Sequence, residues 1–329
     1  MNIGGKVALT ASAALAALGT AYFIASKAKS DIKESTFPFA MKDGSVLYLD
    51  KYESENILHR HRPVVIFTYG GGFVSGHRNK PQYIEFMNFL AREGFIAIIC
   101  DYRKSLRHID PEKGKSSLGM LQAMFEAVEK ASDDFIDATA FVLDHADDWG
   151  VDTNCIIASG SSAGAITALQ TEYNICNGRV KSKKLPENFN YSAVMSFAGA
   201  IYDNHPLKWD KKPCPFLLFH GDADGRVPFN KVNFRDLVGL WGSMSIAKSL
   251  KSAKSPYYFY IVENEGHAVC KTPLTENQKN VKEFIYHFVK RHKRLIVTTK
   301  DHRIKGEGIR KNFGLKDYIY NNVARRRDY

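Results

Sequence analysis

Short, continuous apolar runs along this chain alternate with longer segments in which apolar residues recur every three or four positions. Residues 46–54 (VLYLDKYES) alternate in the manner of a half-buried strand. Residues 62–73 (RPVVIFTYGGGF) are a buried strand ended by glycines. A helix follows over residues 83–94, stopped by Gly94, and then a second buried strand, FIAIICDYR (95–103). After a charged, glycine-containing stretch at 104–117, helical spacing runs from residue 118 to a stop at Gly150. Four more strand-like runs end the pattern: NCIIASGSSAG (154–164), YSAVMSFAGA (191–200), PCPFLLFHGDADGRVP (213–228) and PYYFYIVENEGH (256–267). A last helix covers residues 276–291. Strands alternating with helices require an α/β fold, a mostly parallel central sheet with helices on both faces.

The 329 residues are enough for a large buried core, and the ordinary apolar and charged fractions argue against bulk disorder. The net charge of +11 is uneven: residues 290–329 hold thirteen Lys or Arg against four Asp or Glu. The reading therefore divides the chain into an N-terminal segment at 1–28, a body at 36–293 and a basic tail at 294–329. That tail is a candidate for membrane-surface contact. It lacks the dense aromatic–basic interleaving of a nucleic-acid site, which argues against a nucleic-acid partner. The five cysteines show no CxxC or CxxH spacing, so neither zinc nor a disulfide framework is expected. Residues 7–26 carry no charge and are bracketed by Lys6 and by Lys27 and Lys29, the plan of a signal peptide or membrane anchor. The expectation is export or anchoring, with the body on the non-cytoplasmic side.

Four clusters stand at the carboxyl ends of strands, where ligands sit in an open parallel sheet. Gly70-Gly71-Gly72 would let backbone N–H groups approach a developing oxyanion that side chains would obstruct. Gly160-x-Ser162-x-Gly164 has the pattern of a nucleophile elbow, with Ser161 on the wrong position of it. A serine needs a base, and His267 follows the last strand; a carboxylate must orient that base. By position alone, Asp222 or Asp224 can supply it. The order Ser162, Asp, His267 is that of one triad-bearing fold.

From about residue 37 to 293 the chain resembles the α/β-hydrolases, in particular the carboxylesterase-like branch with its hormone-sensitive-lipase-like esterases. The matching motifs are Tyr69-Gly70-Gly71-Gly72 (a His in place of Tyr69 in the family), Asp101-Tyr102-Arg103, DTNCIIASGSSAG (152–164) and HGDADGRVP (220–228). The resemblance implies Ser162 as nucleophile, His267 as base and Asp224 as acid, with Asp222 in a spacer slot. It implies oxyanion donation from the backbone N–H groups of Gly71, Gly72 and Ala163, and no metal or organic cofactor. The family's N-terminal cap helices have no counterpart in the pattern; residues 104–117 and 237–250 are expected to rim the site instead. The implied activity is hydrolysis of carboxylic esters, small acyl esters such as acetyl or feruloyl groups on carbohydrate included. The alternatives are a serine peptidase of the same fold and a non-catalytic membrane-surface binding protein. The oligomeric state is open.

Overall fold

The computed structural model describes residues 31–57, 61–109, 116–180, 184–234, 238–302, 311 and 314–322. The uncharged run at 7–26 lies outside them. No helix of the described residues is long and apolar enough to cross a membrane.

Strands β1 (Ile32–Lys42) and β2 (Ser45–Ser54) form an antiparallel hairpin, and β2 pairs antiparallel with β4 (Ile96–Cys100). Six further junctions are parallel. They join β4 to β3 (Arg62–Thr68), then β5 (Val151–Ser161), β6 (Ala193–Phe197), β8 (Phe216–Gly221), β11 (Tyr257–Val262) and β12 (Ile296–Asp301). The sheet order is therefore β1-β2-β4-β3-β5-β6-β8-β11-β12. From β3 the chain steps outward to β4 and then returns to β5 on the other side. The switch point lies between β3 and β5, and a crevice is expected outside their carboxyl ends.

Alternation within the strands feeds two apolar layers. Val65, Phe67, Ala97 and Ile99 point to one face, under helix α1 (Pro81–Arg92). Val64, Ile66, Ile96 and Ile98 point to the other. The 28-residue helix α2 (Ser117–Asp144) opens with Ser116, whose Oγ accepts the Gly119 N–H. Its first half, with Met120 and Met124, packs in the α1 layer; its second half, with Phe135 and Val142, packs in the opposite one. Helix α3 (Ala163–Cys176) follows β5 with no loop between them. A small antiparallel sheet, β7 (Ala200–Tyr202), β10 (Val238–Gly242) and β9 (Lys231–Phe234), stands beside the main one. Helix α4 (Ser243–Ser252) packs Ile246, Ala247 and Leu250 into the second layer.

Two sequence boundaries move. The first strand among the described residues starts at Ile32, four residues before the expected start of the body at 36. More consequentially, the sheet continues past residue 293: β12 pairs in parallel with β11, and the Tyr260 hydroxyl donates to Asp301 at 2.7 Å. Helix α5 (Leu315–Asn322) then packs on the body, its Tyr318 ring buried and its hydroxyl 2.5 Å from that of Tyr202. An edge strand is held by backbone hydrogen bonds, so IVTTKD needs little apolar periodicity and its charges hide it.

Gly160 and Gly164 pack against each other where β5 becomes α3, and a Cβ on Gly164 would collide with the Thr68 backbone of β3. Gly164→Ala should therefore destabilise the protein by about 1–3 kcal/mol, the usual cost of overpacking. Gly266→Ala, whose new methyl would meet nothing closer than 3.9 Å, should cost about 0.5 kcal/mol or less. Thermal unfolding of the two variants checks this, and equal stabilities would contradict it.

Candidate active site

The sharp strand-to-helix turn forces Ser162 to φ 56° and ψ −120°, a positive φ that is costly for a residue with a side chain. Its N–H donates to the Phe197 carbonyl at 2.8 Å, and its own carbonyl starts α3 by accepting from Ile166. The hydroxyl is thereby lifted out of the sheet. Ser161 points elsewhere: its buried Oγ donates to the Cys270 carbonyl at 2.8 Å. Of the adjacent serines, Ser162 faces the histidine.

Ser162 Oγ lies 2.8 Å from His267 Nε2, and His267 Nδ1 lies 2.7 Å from Asp224 Oδ2. An ionised carboxylate only accepts, so Nδ1 carries the ring proton and Nε2 accepts from the serine hydroxyl. Asp224 is 2% exposed, on the turn after β8. Its Oδ1 accepts the N–H groups of Arg226 and Val227 at 2.8 and 3.0 Å. Burial opposes its ionisation, but hydrogen bonds from His220 and His267 outweigh that and hold the carboxyl below the usual carboxylate range. Asp222 has another task. Its Oδ1 accepts the Asn264 N–H at 2.7 Å and its Oδ2 pairs with Lys311, which braces the β8 loop against the β11 loop. Of the two carboxylates left open by position, Asp224 is the one hydrogen-bonded to His267.

His220, buried at the end of β8, is a participant the sequence did not single out. Its Nε2 faces both the Val227 carbonyl (3.2 Å) and Asp224 Oδ2 (3.3 Å), and its Nδ1 lies 2.8 Å from Ser243 Oγ. A carbonyl only accepts, so Nε2 carries the proton and points a second N–H at the carboxylate that His267 uses.

Across the switch point, the glycine run reaches the same place. Gly70 is packed against Ser162, with its N–H donating to the Tyr83 hydroxyl at 3.1 Å. Gly71 (φ 155°) and Gly72 (φ 60°) turn the chain back, and the Gly71 carbonyl accepts from Val74 and Ser75. Gly71, Gly72 and Ala163 all line the cavity that contains Ser162 and His267. Ala163 opens α3, among the first N–H groups that have no partner within a helix. Tyr69 holds this loop through its hydroxyl, which donates to Asp101 Oδ1 at 2.9 Å while its ring packs on Tyr102. Burial, followed by the Asp101 carboxylate, raises its pKa and keeps it a neutral phenol. Arg78 pairs with both Asp101 and Asp50. Asp101-Tyr102-Arg103 is thus scaffolding: Asp101 anchors Tyr69, and Arg103 forks onto the buried Asp134.

The cavity measures about 970 Å³. Of the two expected rims, residues 104–117 contribute Leu106, Arg107 and Ile109. Residues 237–250 contribute none among the described lining, because β10 is paired on both edges and α4 faces the far layer. Their place is taken by α5, which supplies Tyr318 and Asn322. Asn321 and Asn322 donate to the carbonyls of Gly225 and Arg226, so this helix also clasps the loop that carries the acid. Among the described residues no group of His, Cys, Asp and Glu is arranged to hold a metal.

The profile of the prolyl oligopeptidase family matches residues 178–294, a span that includes Asp224 and His267 but begins after the elbow. No curated relative matches the chain in sequence. Among solved structures, native esterase 2 of the planctomycete Thermogutta terrifontis is similar with a TM-score of 0.57 at 21% identity, over 83% of this chain and 95% of that one. The same esterase with propionate bound gives 0.56 at 21% identity, over 78% and 93%. With butyrate bound it gives 0.55 at 20%, again over 78% and 93%. Sheet order, elbow and this likeness define an α/β-hydrolase fold. The hydrogen-bonded Ser162, His267 and Asp224 place the chain among the proteins of that fold that carry a Ser–His–Asp constellation.

The two loop aspartates give a paired test. Asp224→Asn should lower the turnover of any Ser162-dependent reaction about 10³–10⁴-fold, since the amide favours the wrong imidazole tautomer, and Asp222→Asn should be mild beside it. Because the folded Asp224 carboxyl titrates below its unfolded value, its ionisation stabilises the fold above the ordinary carboxylate range. That contribution is lost as pH falls through the lowered folded value. Urea unfolding from about pH 6 to about pH 2 should show the wild type losing stability relative to Asp224→Asn. A constant difference, or the opposite ranking of the two variants in turnover, would contradict the assignment.

Proposed function

We propose that this protein is a serine hydrolase that cleaves carboxylic esters through an acyl-enzyme. The observation that carries the reading is the unbroken chain Ser162 Oγ, His267, Asp224, opening into a cavity also lined by Gly71, Gly72 and Ala163. His267 Nε2 takes the hydroxyl proton as Ser162 Oγ bonds to the acyl carbon. The carbonyl oxygen becomes an oxyanion, stabilised by the backbone N–H groups of Gly71, Gly72 and Ala163. The tetrahedral species then collapses: the ester C–O bond breaks, and the His267 imidazolium gives its proton to the leaving alcohol. Water repeats the sequence. His267 removes its proton, hydroxide adds to the acyl carbon, and the acid departs as Ser162 recovers its hydrogen. Asp224 fixes the histidine tautomer and offsets the imidazolium charge throughout.

Small apolar acyl groups fit this reading, supported by the propionate and butyrate held by the similar Thermogutta esterase. A second reading, cleavage of peptide bonds, is favoured by the match to the prolyl oligopeptidase family. The two separate on substrate. The ester reading expects turnover of p-nitrophenyl butyrate and none of a Pro-p-nitroanilide peptide; the reverse would favour the peptidase.

Incubation with a fluorophosphonate, followed by mass spectrometry of the digest, should place the adduct on Ser162. Ser162→Ala should lose labelling and at least about a thousandfold in turnover, while Ser161→Ala keeps both to within about tenfold. Labelling of Ser161 in the Ser162→Ala protein would overturn the elbow assignment.

A further inference from the structure

The cavity above Ser162 combines two kinds of lining. Phe73, Leu106, Met120, Met124 and Ile166 give it an apolar wall. The Leu106 N–H donates to the Phe73 carbonyl, which joins the turn after β4 to the glycine loop on the oxyanion side. The remaining lining includes Lys80, Arg107, Arg226 and Lys271 and, among the described residues, no Asp or Glu. None of the four pairs with a carboxylate among the described residues. Arg107 Nε donates to the Val74 carbonyl, a neutral acceptor. This is not the average composition of the body. Since residues 290–329 carry a surplus of nine positive charges out of the chain's +11, nearly equal numbers of each sign fall elsewhere. Four cations around one mouth, with no acid among the described residues that line it, are a local concentration, and such a mouth raises the encounter rate of anions.

Two of the four have a definite place relative to the chemistry. Arg226 follows the acid by two residues, and its N–H donates to Asp224 Oδ1. Lys271 directly follows the turn His267–Cys270 that carries the base. Both line the cavity that holds the histidine, and the charges of both act on the neighbouring Cys270 thiol. His267 must deliver its proton to the leaving oxygen, so the alcohol half of an ester lies on that side. The acyl half is left to the apolar wall.

We propose that the substrate is an ester with an apolar acyl half and an anionic alcohol half, a phosphate or carboxylate held by Arg226 and Lys271. Lys80 and Arg107 extend the positive field at the mouth. The proposal rests on the ester-hydrolase reading, and the test separates the two. The Ser162→Ala protein binds without turnover, so affinity can be measured by calorimetry for three ligands with the same acyl group. These are the neutral monobutyryl glycerol, butyryl glycerol phosphate, and butyryl lactate with its free carboxylate. In low salt an anionic ester should bind about tenfold more tightly than the neutral one, the scale expected for two cations in a water-exposed site. The larger advantage identifies which oxyacid is preferred. It should shrink in ~0.5 M NaCl, where screening acts over a few ångströms. Adding Arg226→Gln and Lys271→Gln should bring the affinity ratio close to one, with each single variant losing part of it. The ratio is read within each protein, so a general loss of affinity does not imitate the result.

Equal affinity for neutral and anionic esters, or an advantage that survives both substitutions, overturns the proposal. Turnover of p-nitrophenyl butyrate by the wild type is the separate arm. A protein that hydrolyses it without anion preference overturns this inference and leaves the hydrolase reading standing. An anion preference lost with Arg226 and Lys271, in a protein that hydrolyses none of the esters, upholds the anion site and overturns the hydrolase reading.

Discussion

The closeness of three backbones sets the geometry of the site. Gly160 lies in the buried last stretch of β5, Gly164 lies in the first turn of α3, and Thr68 ends β3; no Cβ fits between them. A strand can pass into a helix beside its neighbour with no loop only if those positions are bare. The residue at the apex then has one way to turn, at positive φ, and that residue is Ser162. Strain of about 1–3 kcal/mol at one residue is maintained because the surrounding sheet over-determines it. From the same turn come the exposed hydroxyl, the Ala163 N–H at the helix start and the contact with Gly70 that aligns the glycine loop.

Electrostatics complete what packing begins. Asp224 is a buried carboxylate kept ionised by donors on every side: two backbone N–H groups, His267 and His220. Burial alone would favour protonation, and a protonated acid could not orient His267 in the same way. The loop bearing Asp224 is itself held at three points. Lys311 pairs with Asp222, Asn264 donates to Asp222, and α5 donates to the carbonyls of Gly225 and Arg226. The C-terminal segment thus both holds this loop and lines the cavity, through Tyr318 and Asn322. Beside these, Tyr69 holds the glycine loop by donating to Asp101.

Most of this was legible where local chemistry and periodicity agree. The buried strands 62–68, 96–100 and 216–221 are continuous apolar runs, and the elbow shows itself because glycine is the only residue that fits two of its positions. Other parts carried no such signature. β12 has apolar residues only at Ile296 and Val297, because an edge strand needs hydrogen bonds more than a buried face. Helix α5 is short, and its burial depends on Tyr318 meeting Tyr202, a pair 116 positions apart. His220 was visible as a residue in the HG motif, but its role depends on the return of the chain that places Val227 and Ser243 around it. The choice between Asp222 and Asp224 likewise needed the fold, since both follow the same strand and only the turn decides which faces His267.

The account's central claim is that the hydroxyl at the apex of this turn becomes covalently acylated. Acid quenching during turnover of p-nitrophenyl butyrate, followed by peptide mass spectrometry, measures this directly. The account predicts one butyryl group on Ser162, with an initial burst of nitrophenol no larger than the enzyme concentration. Turnover that proceeds with no acylated peptide and persists in the Ser162→Ala protein would contradict it.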